Sequence, residues 1–384
     1  MDAPLSHAEV QRYARHLMIP EVGMEGQRKL KSASTLVVGT GGLGSPAALY
    51  LAAAGVGRLG LVDYDVVDSS NLQRQVIHST SRMGELKVES ARQRLRDLNP
   101  YIQVDAYNTV FSSINAREIA AEYDLIIDGT DNFPTRYLIN DLCVLTGKPY
   151  VYGSIFRFEG QVSVFDARLG PCYRCLFPEP PAPDSVPSCS TAGVFGVLPG
   201  TIGTLQATEA VKLILGVGQT LVGSLLLYDA LETTFQTVRL RKNPNCKVCG
   251  SQPSITQLVD YEEFCGVPAA GSHVIALPAE QTITVDELAA RMGAADAPLV
   301  LDVREDMERE ISRIPGALAI PLGELPERMQ ELDPAQEIVV YCRTGVRSSR
   351  AVDRLLRAGF PRARSLTGGI NAWAREIDPS MYQY

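Results

Sequence analysis

A turn of three glycines near the start of the chain constrains its fold more than any other segment. Gly39, Gly41 and Gly44 have the spacing G-x-G-x-x-G. An apolar run over 35–38 precedes them, and an Ala- and Leu-rich segment that predicts a helix ends near Gly55. Because glycine has no Cβ, backbone N–H groups and a helix N-terminus can approach a phosphate. The pattern predicts a strand, a turn and a helix that bind a nucleotide; the alternative is a turn that only packs the helix against the strand.

The segments that follow predict an open sheet. A second strand spans 58–63, and Asp63 at its end lies nineteen residues after Gly44, where its carboxylate can accept hydrogen bonds from ribose hydroxyls. Further predicted elements are a helix over 84–98, strands over 103–107 and 124–128, and, after Pro149, short strands around a helix over 205–215. We therefore predict an α/β fold with a Rossmann-like, mostly parallel sheet and added antiparallel strands.

Polar residues beyond the second strand suit a triphosphate. The segment Ser70, Asn71, Leu72, Gln73 and Arg74, together with Lys87, brings more positive charge than a pyrophosphate at a helix N-terminus needs. Asp131 and Asn132 follow a predicted strand, where ligands of open α/β sheets bind, and Asp131 could hold Mg²⁺. The glycine turn alone leaves the choice between NAD and ATP open, and a charged surface with an Asp-Asn turn is the alternative at 131–132.

The overall charge and the expected compartment limit the partners of the chain and the roles of its cysteines. Lys and Arg total 36 against 44 Asp and Glu, a net charge of -8, so we expect no direct nucleic acid partner. No apolar run reaches the roughly 18 residues of a membrane span, and the N-terminus has no basic-then-apolar export signal. We expect a cytoplasmic protein without a membrane partner, in which the eight cysteines are ligands or nucleophiles rather than disulfides.

Four of the cysteines have the spacing of metal ligands. Cys172 and Cys175 form one C-x-x-C pair, and Cys246 and Cys249 form another. Four thiolates can close a structural tetrahedral Zn²⁺ site, so we predict a four-cysteine zinc site. Four buried free thiols, or a redox-active pair, are the alternatives.

A fifth cysteine, Cys189, follows a proline-rich stretch over 178–187 that predicts an exposed loop. A glycine-punctuated segment leading into a helix comes next, and N–H groups at a helix start favour a thiolate. Cys189 is therefore a candidate nucleophile, and an incidental loop cysteine is the alternative.

The last 100 or so residues predict a second domain. A stretch rich in Gly, Pro, Ala and Ser over 266–281 predicts a linker, which divides the chain into domains at 1–265 and 282–384. In the second domain, Cys342 follows a strand over 338–341 and precedes a helix over 347–358, so loop N–H groups can point at its sulfur. Arg347 closes the loop and is the arginine expected to contact a bound anion. A phosphatase cradle is possible, but no His follows His273 to protonate a leaving group.

The first domain resembles the adenylating enzymes of the ubiquitin-activating superfamily, in the MoeB/ThiF branch that serves molybdopterin synthase and thiamine biosynthesis. The segments GTGGLGS, VDYDVVDSSNLQRQ, GELKVESA and DGTDN carry the resemblance over about 8–266. It implies adenylation of the C-terminal glycine of a ubiquitin-like sulfur-carrier protein, and a homodimer. The implied roles are ATP contact by Gly42 and Asp63, phosphate binding by Ser70 to Arg74 and Lys87, metal and nucleotide contact by Asp131 and Asn132, entry of Arg15 into a dimer partner's site, and a thioester or disulfide intermediate on Cys189.

The second domain resembles rhodanese domains over 283–378 through LDVRE, IPGAL, CRTGVR and LTGGINAW. This implies that Cys342 carries a persulfide, stabilised by the loop and Arg347, with thiosulfate or a cysteine desulfurase as donor. We therefore expect an ATP-dependent adenylyltransferase and sulfurtransferase that makes a carrier thiocarboxylate for molybdopterin, thiamine, cysteine or tRNA chemistry. The alternatives are a nicotinamide-dependent oxidoreductase with a sulfurtransferase appendage and a noncatalytic scaffold that binds a ubiquitin-like protein.

Overall fold

The computed structural model describes residues 4–181, 193–265, 277–294 and 296–384. The chain divides into two units, Met1–Val267 and Pro268–Tyr384. Most of the predicted linker 266–281 lies outside the described residues, so the boundaries 1–265 and 282–384 stay a prediction. No helix in these described ranges has both the length and the apolar character of a membrane span.

An eight-stranded sheet forms the centre of the first unit. Its strands are β1 (Ser34–Val38), β2 (Arg58–Asp63), β3 (Gln103–Asn108), β4 (Leu125–Asp128), β5 (Tyr150–Phe156), β6 (Glu159–Phe165), β7 (Ser224–Asp229) and β8 (Thr234–Arg239). They lie in the order β3-β2-β1-β4-β5-β6-β7-β8. Pairs from β3 to β5 are parallel, and pairs from β5 to β8 are antiparallel. The predicted sheet type is confirmed.

Helices cover this sheet on both faces. They are α1 (His7–Arg12), α2 (Ala14–Leu17), α3 (Gly23–Ser32), α4 (Gly44–Ala54), α5 (Lys87–Leu98), α6 (Ala116–Ala121), α7 (Phe133–Thr146), α8 (Tyr173–Leu176), α9 (Leu198–Leu215) and α10 (Tyr261–Phe264). Side chains alternate along a strand, so Val37 packs in one core with α4, α5 and α9, whereas Leu36 and Val38 pack in a second core with α6, α7 and α10. Burial on both faces explains why β1 and β4 are continuous apolar runs.

Two helices begin at positions that the sequence did not predict. The start of α5 is later than 84, because Gly84 lies in a turn with φ +82° and its N–H donates to the Val67 carbonyl at 2.9 Å. The start of α9 is earlier than 205, with Pro199 in its first turn. Gly203 weakens the helix signal, but it allows close packing, since a Cβ there would lie 2.4 Å from the Leu43 carbonyl oxygen.

The second unit is a smaller α/β domain with a five-stranded parallel sheet. Its elements are β9 (Thr282–Ile283), α11 (Val285–Arg291), β10 (Leu299–Asp302), α12 (Asp306–Ile311), β11 (Leu318–Ala319), α13 (Leu325–Arg328), β12 (Ile338–Tyr341), α14 (Val346–Arg357), β13 (Ala363–Leu366) and α15 (Gly369–Glu376). The strand order is β11-β10-β12-β13-β9. The strand over 338–341 and the helix over 347–358 that the sequence predicted correspond to β12 and α14. The sequence did not predict β9 and β11, which have two residues each, or β13, whose arginine and serine interrupt the apolar pattern.

A buried ion pair joins three helices of the first unit. Arg174 on α8 and Asp141 on α7 are 1% and 0% exposed, and the Arg174 Nε lies 2.7 Å from the Asp141 Oδ1. The Tyr261 hydroxyl on α10 donates to the Asp141 Oδ2 at 2.8 Å. The guanidinium lies 4.4 Å from the ring centroid of Phe264. The pair therefore fixes α10 and α8, the helix that contains Cys175, to α7.

Removing the carboxylate should destabilise the fold strongly. Asp141→Ala leaves the buried Arg174 charge without its partner, which we expect to lower the free energy of unfolding by about 3–5 kcal/mol. Urea unfolding followed by circular dichroism measures the change. Glu179→Ala, which breaks an exposed ion pair with Lys247, is the control and should cost less than about 1 kcal/mol. Equal losses in the two variants would contradict this account.

Candidate functional site

The glycine turn at the end of β1 is built on backbone contacts that exclude a Cβ. Gly39 has φ +89°, and a Cβ there would lie 2.8 Å from the Gly129 carbonyl oxygen. A Cβ on Gly44 would lie 1.8 Å from the Gly39 carbonyl oxygen. The turn can therefore close only with glycine at these positions, and it places the N-terminus of α4 at the edge of the sheet.

Strand order brings the glycine turn and Asp131 to one edge. β1 pairs with β4 in parallel, and Val38 lies opposite Asp128, so Gly39 and the segment after Asp128 leave the sheet side by side. β1 also borders β2, and the sheet extends away in opposite directions from the β1 and β4 pair, which is where open α/β sheets bind ligands. Asn132 caps α7 by accepting from the Thr135 N–H at 2.9 Å. Asp131 is exposed, and its carboxylate makes no hydrogen bond or ion pair within the described part of the chain.

Asp63 and His78 hold the second residue of the glycine turn from two sides. The Asp63 Oδ2 accepts from the Thr40 N–H at 2.8 Å and from its hydroxyl at 2.9 Å. The His78 Nε2 lies 3.1 Å from the Thr40 carbonyl oxygen, and its Nδ1 lies 3.0 Å from the Ser90 hydroxyl. A carbonyl only accepts, so the Nε2–H donates to Thr40. Burial lowers the pKa of His78, which favours the neutral imidazole, in which Nδ1 accepts from the Ser90 hydroxyl.

Of the two predicted phosphate-binding cations, one is already paired and the other lies against the glycine turn. The Lys87 Nζ donates to the Asp65 Oδ2 at 2.8 Å. The lysine side chain is 6% exposed and the aspartate 51%, so the pair opens towards solvent through Asp65. Arg74 lies over Gly42, because its Cδ would be 3.7 Å from a Cβ there. Sequence reasoning treated Lys87 as a free cation and missed Asp65, although Asp65 lies only two residues after Asp63.

The predicted phosphate-binding segment from Ser70 to Arg74 is held by local hydrogen bonds. The Ser70 hydroxyl donates to the Asp68 carboxylate at 2.6 Å, and the Asn71 amide donates to the Ser70 hydroxyl at 3.0 Å. Gln73 lies against Gly196, where a Cβ would be 2.4 Å from its Oε1. Gln73 therefore packs against the chain that leads into α9, and Leu72 is half-buried.

The four predicted metal ligands lie together. Their sulfur atoms are all within 4.8 Å of one another, with separations of 3.9 Å for Cys172 and Cys175, 3.6 Å for Cys172 and Cys246, and 3.4 Å for Cys175 and Cys249. Cys172 and Cys246 are buried, and the other two are partly exposed. The two C-x-x-C pairs, far apart in sequence, form one cluster that is compatible with a metal ion.

Cys342 begins the loop between β12 and α14. Its sulfur accepts from the Gly345 N–H at 3.1 Å and lies 3.7 Å from the Ser348 hydroxyl. Gly345 has φ +105°, a conformation that a residue with a Cβ rarely adopts. Cys342 is only 1% exposed, more buried than its predicted role suggests, but its sulfur accepts from the Gly345 N–H and donates to the Ser348 hydroxyl at the start of a helix.

Arg347, which is predicted to contact a bound anion, is paired with an acid. Its two terminal nitrogens donate to both carboxylate oxygens of Glu308, at 2.6 and 2.5 Å. Glu308 lies on α12, 39 residues earlier, and no local pattern pointed to it. Glu308 therefore accepts from both terminal nitrogens of Arg347, which we expected to contact a bound sulfur anion.

The predicted roles of two residues are not tested by the described part of the chain. Arg15 is exposed on α2, and its role towards a dimer partner stays a prediction. Cys189 lies outside the described residues, so its role as a nucleophile also stays a prediction.

Comparison with known proteins assigns the first unit. The model of the ThiF family matches residues 13–248, more than half of the chain. The chain belongs to the ThiF family. A second family model, the rhodanese-like domain, matches residues 284–376.

Curated relatives resemble the chain over almost its full length. It is 50% identical over 99% of its length to "Probable adenylyltransferase/sulfurtransferase MoeZ" of Mycobacterium tuberculosis, covering 96% of that protein. It is 44% identical over 99% of its length to "Adenylyltransferase and sulfurtransferase MOCS3" of Drosophila yakuba, covering 86% of that protein. The ThiF unit and the rhodanese-like unit therefore occur together in these relatives.

Solved structures share the fold of the ThiF unit. Escherichia coli MccB with ATP aligns over 64% of this chain and 75% of that chain with a TM-score of 0.55 and 22% identity. The microcin C7 biosynthetic enzyme MccB with N-formylated MccA aligns over 65% and 77% with a TM-score of 0.57 and 22% identity. These likenesses establish the fold alone.

His78 should make the stability of the ThiF unit depend on pH. Burial lowers the pKa of His78 below its ordinary value of 6.5, and the Lys87 charge adds to this, while Thr40 and Asp63 oppose it. Between the two pKa values the unfolded chain binds the proton and the folded chain does not. His78 therefore destabilises the fold progressively as the pH falls below about 6.5.

We expect His78→Gln to remove this contribution. The stability difference between wild type and the variant should be largest near pH 7.5 and shrink towards pH 5.5, in urea unfolding at several pH values. His7→Gln, which alters an exposed histidine, should show a constant difference. A pH-independent effect of His78→Gln would be inconsistent with a neutral, buried imidazole.

Proposed function

We propose that the protein adenylates the C-terminal glycine of a ubiquitin-like sulfur-carrier protein with ATP and then transfers sulfur to it from a persulfide on Cys342. The observation that carries this proposal is the presence, in one chain, of a ThiF unit with the glycine turn and Asp131 at one sheet edge and a rhodanese-like unit with Cys342 in a polar loop. The relatives named for both activities have the same pair of units.

In the first step a carboxylate oxygen of the carrier attacks the α-phosphorus of ATP. The bond to the β-phosphate oxygen breaks, pyrophosphate leaves with the electron pair, and an acyl-adenylate remains. Arg74 and Lys87 offset the charge on the departing pyrophosphate. The unpaired, exposed Asp131 carboxylate fits a Mg²⁺ ligand. When bound there, Mg²⁺ would neutralise phosphate oxygens.

In the second step the terminal sulfur of the Cys342 persulfide attacks the acyl carbon. AMP leaves, and the carrier is joined to Cys342 through an acyl disulfide. Attack by the Cys189 thiolate on the Cys342 sulfur would break the S–S bond and release the carrier thiocarboxylate. The resulting Cys189–Cys342 disulfide is then reduced by an external dithiol.

The metal of the four-cysteine cluster is proposed to be structural zinc. A Zn–S bond of about 2.3 Å in a tetrahedron requires sulfur atoms about 3.8 Å apart. Three of the six separations, at 3.4 to 3.9 Å, are close to this value, and all four sulfur atoms lie within 4.8 Å of one another. No open coordination position is needed, which favours a structural role.

Three further expectations remain part of the proposal. The protein is a cytoplasmic homodimer in which Arg15 reaches the partner's nucleotide site. The sulfur donor is thiosulfate or a cysteine desulfurase.

Two alternative functions have less support. The match to the ThiF family favours ATP over a nicotinamide, and Glu308 gives no support to a phosphatase. Burial raises the pKa of Glu308, but Arg347, the Glu305 N–H and the Tyr384 hydroxyl together hold that pKa below its ordinary range, so Glu308 is ionised at neutral pH and is not suited to donate a proton.

The two activities should separate by mutation. Asp131→Ala should abolish carrier-dependent exchange between ATP and pyrophosphate and leave transfer of sulfur from thiosulfate to cyanide intact, because the sites are chemically independent. Cys342→Ala should have the opposite effect. Both rates are measured on the full chain with a Gly-Gly-tailed carrier. Loss of both activities in either folded variant would contradict independent sites.

The purified chain should hold about one zinc ion, measured by inductively coupled plasma mass spectrometry. Cys246→Ser combined with Cys249→Ser should remove the zinc and lower the unfolding temperature, since the metal joins distant segments. Cys265→Ser, outside the cluster, should retain it. Less than about half a zinc per chain, with unfolding insensitive to chelators, would exclude the site.

A further inference from the structure

The strongest feature that the proposed function leaves unexplained is the pairing of Arg347 with Glu308. The two side chains are only 18% and 12% exposed, and both guanidinium nitrogens at the tip are used. A two-point pair of this kind fixes the orientation of the arginine. Arg347 is therefore held by an acid instead of being available to a ligand at Cys342.

Glu308 is itself held by a second set of residues. The Tyr384 hydroxyl donates to the Glu308 Oε1 at 3.1 Å and accepts from the Arg304 Nη1 at 2.7 Å. Burial raises the pKa of Tyr384 to about 12, so the hydroxyl keeps its proton. Arg304 is fully buried and paired with Asp302 at 2.6 Å. Glu308 thus cannot swing away without breaking a hydrogen bond to a fixed partner.

Tyr384 also lies near the start of the Cys342 loop. The Arg343 guanidinium, next to Cys342, lies 5.9 Å from the centroid of the Tyr384 ring. Glu308 cancels one of the two arginine charges that the loop itself carries. An anion that approaches Cys342 meets a site whose positive charge is already partly neutralised.

We propose that Glu308 is a specificity-determining residue, which binds Arg347 and so limits the use of anionic sulfur donors by Cys342, and that Tyr384 positions it. This inference rests on the proposed sulfur transfer. With thiosulfate, the Cys342 thiolate attacks the outer sulfur, the bond between the two sulfur atoms breaks, and sulfite leaves with its electron pair. Cyanide then removes the outer sulfur as thiocyanate and restores the thiolate.

The decisive variant is Glu308→Gln in the full chain. It keeps the shape of the side chain and removes the charge, so Arg347 becomes available to the dianion. We expect kcat/KM for thiosulfate, with cyanide as acceptor, to rise about tenfold at low ionic strength and to fall more steeply with added salt than in wild type. Because the expected change is a gain, misfolding cannot imitate it.

Three further variants test whether the gain depends on Arg347. Glu310→Gln removes an exposed acid from the same helix and should change kcat/KM less than about twofold, because solvent screens it. Glu308→Gln in an Arg347→Ala background should give no gain, as a double-mutant cycle requires for a direct pair. Tyr384→Phe should give a smaller gain in the same direction, with a steeper salt dependence.

The outcomes separate this inference from the proposed function. A wild-type chain that loads sulfur on Cys342, together with a Glu308→Gln variant whose kcat/KM and salt dependence are unchanged or lower, would overturn the inference alone. Mass spectrometry that finds no persulfide on Cys342 in either protein, with any donor, would contradict both. Loading of Glu308→Gln but not of wild type by thiosulfate would support the inference.

Discussion

The contact between three glycine backbones is the constraint on which the nucleotide site depends. Gly39, Gly44 and Gly129 lie so close that a Cβ on any one of them would meet a backbone atom at 3.1 Å or less. This packing lets β1 and β4 end side by side. Thr40 is then fixed by Asp63 and His78, so the shape of the turn is maintained by polar contacts.

Each proposed site holds one of its cations in an ion pair. Lys87 is paired with Asp65, and Arg347 with Glu308. In a chain of net charge -8, such pairing fixes long flexible side chains in place and reduces the entropy lost when a ligand binds. The same pairing weakens the electrostatic attraction for an anionic ligand, because the negative charge of the partner acid lies beside the cation. The two units thus use the same electrostatic arrangement on unrelated sheets.

Much of this could be predicted from sequence, where neighbouring residues determine the geometry. The glycine turn, β1, β2 and the start of the Cys342 loop follow from short patterns. The predicted start of α9 at 205 was wrong. Gly203 lowers the local helix signal, although it allows the helix to pack closely against Leu43. The strands β9 and β11 were missed, because two-residue strands exist only through their partners.

The sequence by itself determined the chemistry that is carried on adjacent residues. The glycine spacing, the two C-x-x-C pairs and the loop from Cys342 to Arg347 depend on local backbone geometry. Only the tertiary structure decided which charged side chains meet across long separations: Arg174 with Asp141, and Arg347 with Glu308. These contacts depend on packing between elements, and charge pairing and burial arise only when the chain has folded, so no spacing in the sequence encodes them.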